Sequence, residues 1–186
     1  MPDVPSLLKL IPHPATPCPA LPDIDVRVSR GADGSLELGF VLWGDTARLA
    51  IPYPRSPGPA DELWRHTCCE AFVGLPGETA YREFNFSPSG QWAAYAFTDT
   101  RQRHEAFAPA AAPRIALRRQ PDRLELDAYL PPPLLPPAGS TLQLGLTVVV
   151  EGVDGTLAYW ALTHPADHPD FHLRAGHTLM LAASFS

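Results

Sequence analysis

The stretch at residues 61–74, DELWRHTCCEAFVG, reads two ways, and the choice between them decides the fold. Leu63, Trp64, Thr67, Cys68, Ala71 and Phe72 recur at steps of three and four, the mark of one helix face. As a strand, the same residues put Cys68, Glu70 and Phe72 on one side against Cys69, Ala71 and Val73 on the other. Propensity does not separate the two, so the surroundings must. They favour a short helical turn near residues 59–64 and a strand from about Cys68.

Those surroundings are strands and prolines. The chain has 23 Pro, about twice the average usage of ~5%, clustered in IPHPATPCPALP, IPYPRSPGP and LPPPLLPPAG. Each fixes φ and removes an amide donor, which excludes long helices there. Between the clusters, DIDVRVSR sets Ile24, Val26 and Val28 against Asp25, Arg27 and Ser29, and GADGS turns it into LELGFVLW. YREFNFS alternates and returns through Pro-Ser-Gly as QWAAYAF. RIALRRQ with RLELDAYL, and TLQLGLTVVVE with TLAYWAL, form two further hairpins, and HTLMLAASF closes the chain. The expected fold is all-β: an antiparallel two-sheet sandwich or barrel of about ten strands. Residues 1–22 read as a Pro-rich N-terminal segment and 23–186 as one domain, with no internal repeat.

Composition narrows the function. Hydrophobic residues make up 45% and charged residues 18% of 186, an ordinary globular balance. A net charge of −6 argues against nucleic acid, which needs clustered Lys and Arg. Apolar runs fall far short of the ~20 residues that span a bilayer, so no membrane partner is expected. No signal peptide is read at the start. With three Cys, two of them adjacent, a disulfide framework is not expected and a cytoplasmic setting is.

No motif advertises catalysis. Cys68 and Cys69 lack the spacing of zinc ligands and read as small buried hydrophobes. His164, His168, His172 and His177 resemble a metal tract, but Pro165 and Pro169 break the helix that would align them, and they read as an exposed loop. Glu70 and Glu83 could pair across neighbouring strands as in glycoside hydrolysis; isolated strand glutamates are more commonly solvated or matched to Arg. In YREFNFS, Phe84 and Phe86 point to the core, while Tyr81, Glu83 and Asn85 form a polar row on the other face. Trp64 and Trp160 offer flat apolar rings that suit the C–H face of a sugar.

Together, LWRHTCCEAFV, YREFNFSPSGQWAAYAF and YWALTHPADHPDFH resemble the DOMON-like proteins related to family 9 carbohydrate-binding modules. The resemblance runs from about Asp23 to the end and implies a two-sheet antiparallel jelly roll of about ten strands. It implies a non-catalytic ligand-binding module for a carbohydrate or sugar-like polyol. The chain departs from the exported, commonly calcium-holding modules in showing no signal and no carboxylate-rich loop, so a cytoplasmic protein with no cofactor and no bound metal is expected. Trp64 falls where the first of two aromatic platforms would lie, and Trp160 is the counterpart for the second. Arg65, Glu83 and Asn85 are chosen as hydroxyl contacts from their proximity in sequence and their strand face.

Two alternatives remain at this point. The wider DOMON group contains haem-binding members whose iron is held by Met with His or Lys. Here Met180 follows His177 by three positions, which sets the pair on opposite strand faces. An adaptor whose aromatic groove takes a peptide loop is the other.

Overall fold

The computed structural model describes residues 6–183, and there almost every ordered segment is a strand. In chain order these are β1 (Ser6–Pro12), β2 (Asp23–Arg30), β3 (Leu36–Trp43), β4 (Gly58–Pro59), β5 (Cys68–Gly74), β6 (Tyr81–Phe86), β7 (Gln91–Asp99), β8 (Gln102–Arg103), β9 (Arg114–Gln120), β10 (Arg123–Leu130), β11 (Leu142–Glu151), β12 (Leu157–Ala161) and β13 (Leu179–Leu181). Four single turns of 3-10 helix are the only helical pieces among the described residues.

The strands follow one hydrogen-bonded path, β4-β7-β6-β5-β11-β12-β1-β2-β3-β10-β9, with β13 on β11 and β8 on β7. Pairing is antiparallel except between β4 and β7, so the sheet is mixed, where the sequence suggested a purely antiparallel one. Thirteen strands replace the expected ten or so. Two of the additions, β4 and β8, are only two residues long and leave no periodicity to read.

β1 is the third addition and lies inside the Pro-rich segment. Ser6 to Leu10 pair with β2, and Ile11 and Pro12 pair with β12, so β1 carries the ladder from one half of the sheet to the other. Leu10 is buried in the same core as the rest of the chain. Residues 1–5 of that segment, and 184–186 of the closing strand expected from HTLMLAASF, lie outside the described residues.

The hairpins explain the curl. β2 alternates strictly, and Ile24, Val26 and Val28 pack with Phe40 and Leu42 of β3 and Leu124 and Leu126 of β10. Facing them from the other half are Ala71 and Val73 of β5, Phe84 and Phe86 of β6, and Leu144, Leu146 and Val148 of β11. Burying each large apolar side chain contributes about 1.5–3 kcal/mol, so this single cluster holds both halves together. The β6–β7 hairpin is closed by Ser87, whose amide donates to Gln91 O at 3.0 Å and whose carbonyl accepts from Gly90 N at 3.0 Å. Gly90 has φ +88°, a backbone conformation that favours glycine.

The opening stretch resolves as a turn followed by a strand. Leu63–Arg65 is one 3-10 turn and β5 begins at Cys68. The hydroxyl of Thr67 fixes the junction, donating to Ala50 O at 2.8 Å and accepting from Glu151 N at 3.0 Å. Cys69, Ala71 and Val73 point into the core while Cys68, Glu70 and Phe72 take the opposite face. The helical spacing of 63–72 is a coincidence of a turn running into a two-faced strand.

Candidate ligand-binding cleft

The second face of β5, β6, β7, β11 and β12 is concave and only partly covered. Strand register lays out its floor: Glu70 lies between Thr147 and Asn85, Phe72 beside Glu83, and Glu83 beside Tyr95. Val149 lies between Cys68 and Tyr159. Loops, a 3-10 turn and the short β8 form the walls, bringing Asp61, Glu62 and Trp64 from one side, Arg101 and Arg103 from another, and Pro169, Phe171 and His172 from the C-terminal loop. They enclose a cleft of about 850 Å³, within the ~300–1,000 Å³ usual for small-molecule sites.

Two carboxyl groups sit on this floor almost out of water. Glu70 is 2% exposed and Glu83 5%. This differs from the expectation that strand glutamates would be solvated or paired with Arg, because both lie under the covering loops. Glu70 accepts from Thr147 Oγ1 at 2.9 Å, and Glu83 accepts from Asn85 Nδ2 at 2.9 Å. Burial pushes both carboxyls up. For Glu70 the neighbouring Glu83 charge adds to the rise and the Thr147 hydrogen bond opposes it. Glu83 is pushed up to about 7, with Asn85, Arg101 and Arg103 pulling the other way.

The wall beside Glu83 is organised by Tyr81. Its hydroxyl accepts from Arg101 N at 3.2 Å and shares a hydrogen bond of 2.8 Å with His172 Nδ1. The other ring nitrogen, Nε2, faces Glu83 Oε2 at 3.7 Å. Burial and the Arg101 charge push His172 down to about 4, so it is neutral near pH 7. Arg101 itself is tied to Asp170 at 2.8 Å. Tyr95 donates to Asp61 at 2.9 Å and is stacked under the Arg103 guanidinium at 4.3 Å. Glu62 and Arg101, at φ +58° and +57°, are the two non-glycine residues with left-handed backbone among the described residues, and both line the cleft. Such strain is held only where surrounding contacts over-determine it, and it gathers at functional sites.

The five residues singled out from sequence separate here. Trp64 lies on the rim, 46% exposed, and Glu83 on the floor. Asn85 is fully buried on the same face as Glu83, beneath the cleft lining, and orients that carboxyl. Arg65 is outside the lining: it pairs with Glu62 at 2.7 Å and lies over the Trp64 ring at 5.3 Å from its centroid. Trp160 is not a second platform. Alternation along β12 points it into the core at 2% exposure, and its neighbour Tyr159 lines the cleft instead.

Sequence reasoning missed Tyr95, Phe97, Arg101, Arg103, Tyr159, Phe171 and His172. Parity along QWAAYAF was the available signal for Tyr95 and Phe97, which oppose Glu83 and Tyr81. The four His of the tract go separate ways. His164 packs edge-on against His13 at 4.8 Å, His168 is exposed beside Asp167, His172 lines the cleft, and His177 stacks behind Phe72 at 5.1 Å. Both ring nitrogens of His177 are engaged, with Arg174 and Phe171 O, while Met180 points outward at 50% exposure. Cys68 and Cys69 are buried free thiols, both pushed up chiefly by burial.

No family model and no curated protein matches the sequence. Solved structures do match in shape. A Bacteroides uniformis protein classed provisionally as carbohydrate-binding aligns with a TM-score of 0.64 over 96% of this chain and 86% of its own, at 14% identity. A family 9 carbohydrate-binding module of Caldicellulosiruptor kristjanssonii in complex with glucose aligns at 0.51 over 75% and 66%, at 10% identity. A second structure of such a module from that organism, with cellotriose, aligns at 0.50 over 75% and 65%, at 11% identity. With its curled all-β sheet, the chain has the fold of the family 9 carbohydrate-binding modules.

Proposed function

We propose that this chain is a non-catalytic carbohydrate-binding module whose ligand occupies the cleft over β5, β6, β7, β11 and β12. One observation carries the reading: the cleft alternates flat apolar rings with buried hydrogen-bonding groups. Trp64, Phe72, Tyr95, Phe97, Tyr159 and Phe171 line it, and Glu70 and Glu83 lie on the floor among them. A sugar ring has the matching character, with C–H faces that pack on aromatics and hydroxyls that both donate and accept. A protonated carboxyl can likewise donate and accept, so raised carboxyls serve hydroxyls without leaving a charge out of water. The likeness of fold to modules solved with glucose and with cellotriose supports the same reading. The curled sheet would act as a two-layer jelly roll, with its concave side as the receptor.

Trp64 is the reporter. Arg65 lies over its indole, and the side chain is still 46% exposed at the rim. Titration with glucose, cellobiose and other small sugars should change the tryptophan fluorescence, and Trp64→Ala should weaken binding ten-fold or more with little change in melting temperature. Trp43→Phe, on the far half of the sheet beside β2 and β10, should bind as the parent does. If no sugar perturbs the fluorescence or gives heat in calorimetry, the reading is wrong.

A further inference from the structure

The cleft floor gathers two buried carboxyls and a buried amide with few fixed partners. Glu70 has one hydroxyl, from Thr147, for two carboxyl oxygens. Glu83 has one amide donor, from Asn85, and a neutral imidazole no closer than 3.7 Å. Asn85 lies on the same face, fully buried, paired across the strands with Glu70 and bonded to Glu83, and its Oδ1 has no partner. Asn85 Oδ1 is thus a buried acceptor with no partner, beside two buried carboxyls that each have a single close donor. A buried acceptor left unmatched costs about 1–3 kcal/mol, and a buried carboxylate without a cation costs more.

The charged groups around this floor have other direct partners, and Arg101 and Arg103 reach Glu83 only through their field. Asp61 holds the Tyr95 hydroxyl, Glu62 holds Arg65, and Arg101 holds Asp170. Arg103 is half exposed over Tyr95, with Glu105 at 4.0 Å, and its charge is solvated at the mouth. The floor therefore lacks a cation that fits under six aromatic side chains. An ammonium group has three N–H donors and no acceptor, and aromatic faces attract it.

Resting on the carbohydrate reading, we propose that the cleft selects an amino sugar, with its ammonium on the floor between Glu70 and Glu83 and its ring against the aromatic walls. The arriving ammonium replaces the proton that a buried carboxyl otherwise keeps, so binding releases a proton to solvent. Neutral sugars use the same walls without that ion pair.

Calorimetry at pH 7 with a chelator present, using glucose, glucosamine and N-acetylglucosamine, tests this. Glucosamine should bind at least ten-fold tighter than glucose, and N-acetylglucosamine, which has no charge, no better than glucose. Repeating the titration in buffers of different ionisation enthalpy should show proton release with glucosamine and none with glucose. Glu70→Gln should bring the glucosamine-to-glucose affinity ratio close to one. Glu83→Gln is the second variant, read by the same ratio, should the first fail to fold. Glucose binding as tightly as glucosamine would overturn the amino-sugar proposal and leave the carbohydrate reading standing. Failure of all three sugars, and of cellobiose, would overturn both. Calcium or magnesium that stabilises the parent but not Glu70→Gln, with no preference for glucosamine, would assign the floor to a metal and overturn the proposal.

Discussion

Glu83→Gln should make the stability of this protein less dependent on pH, in a direction fixed by the burial of Glu83. The carboxyl is 5% exposed and pushed up to about 7, from an ordinary 4.5 when the chain is unfolded. Below pH 4.5 both states hold the proton and the group is neutral to stability. Between 4.5 and about 7 the unfolded chain loses it while the folded chain keeps it, so the native state weakens as pH rises. At 1.36 kcal/mol per pH unit, a gap of this size costs about 3 kcal/mol by the time the folded group has titrated. Gln cannot ionise, so the variant avoids the loss. His172 and His177, both pushed down to about 4, act in the opposite sense and strengthen the fold as pH rises from 4 to 6.5. They are present in both proteins, so their own contribution largely cancels in the difference between parent and variant. Removing the Glu83 charge also relieves Glu70, which adds to the same sign. Urea unfolding of both proteins at pH 4.5, 6 and 8 gives that difference directly. It should move towards the variant by about 3 kcal/mol across the series. A difference that stays flat, or moves the other way, would refute the buried-carboxyl account of the cleft floor.

Other substitutions probe the layers around it. Trp160→Ala should cost about 3–5 kcal/mol in urea unfolding, since the ring is buried in the shared core, whereas Trp64→Ala should cost little. Gly145→Ala places a methyl group into the His177 ring, which backs Phe72 on the cleft floor. It should lower stability by about 1–3 kcal/mol and weaken any sugar that binds the parent, read by melting and by titration. Tyr81→Phe removes the hydroxyl that joins Arg101 N to His172. About 1 kcal/mol should be lost, and hydrogen exchange at the Arg101 amide should speed up, marking the loosened wall.

Residues with strict two-residue alternation and no competing period could be read directly from the sequence. Ile24, Val26 and Val28 face the core as their spacing requires, and Phe84 and Phe86 separate from Tyr81, Glu83 and Asn85 in the same way. Around residues 63–72 two periods overlapped, and only the neighbouring hairpins favoured the strand. Trp160 shows a different limit. Tyr159 and Trp160 are both large, aromatic and capable of lining a sugar site, so composition does not say which is inside; the register of β12 against β11 does. Arg65 was chosen for adjacency to Trp64, but adjacency in a single 3-10 turn points it at Glu62. The cleft walls come from 61–64, 101–103 and 169–172, and nothing local in sequence says that these segments converge. β1 was obscured by the prolines around it, although Pro12 is tolerated as the last residue of its strand.

The divided pairing of β1 sets an order on folding. Its first five residues pair with β2, a near neighbour, but Ile11 and Pro12 pair with Ala161 and Trp160, about 150 residues further along. As the polypeptide emerges during synthesis, the early hairpin of β2 and β3 can form at once, while the far side of β1 has no partner until β12 has been made. Leu7 and Ile11, 67% and 48% exposed even in the finished fold, are then joined by Leu10 as uncovered apolar surface. Until β12 is made, this end of β1 is an unpaired apolar edge, the kind of surface that chaperones for unfinished chains bind.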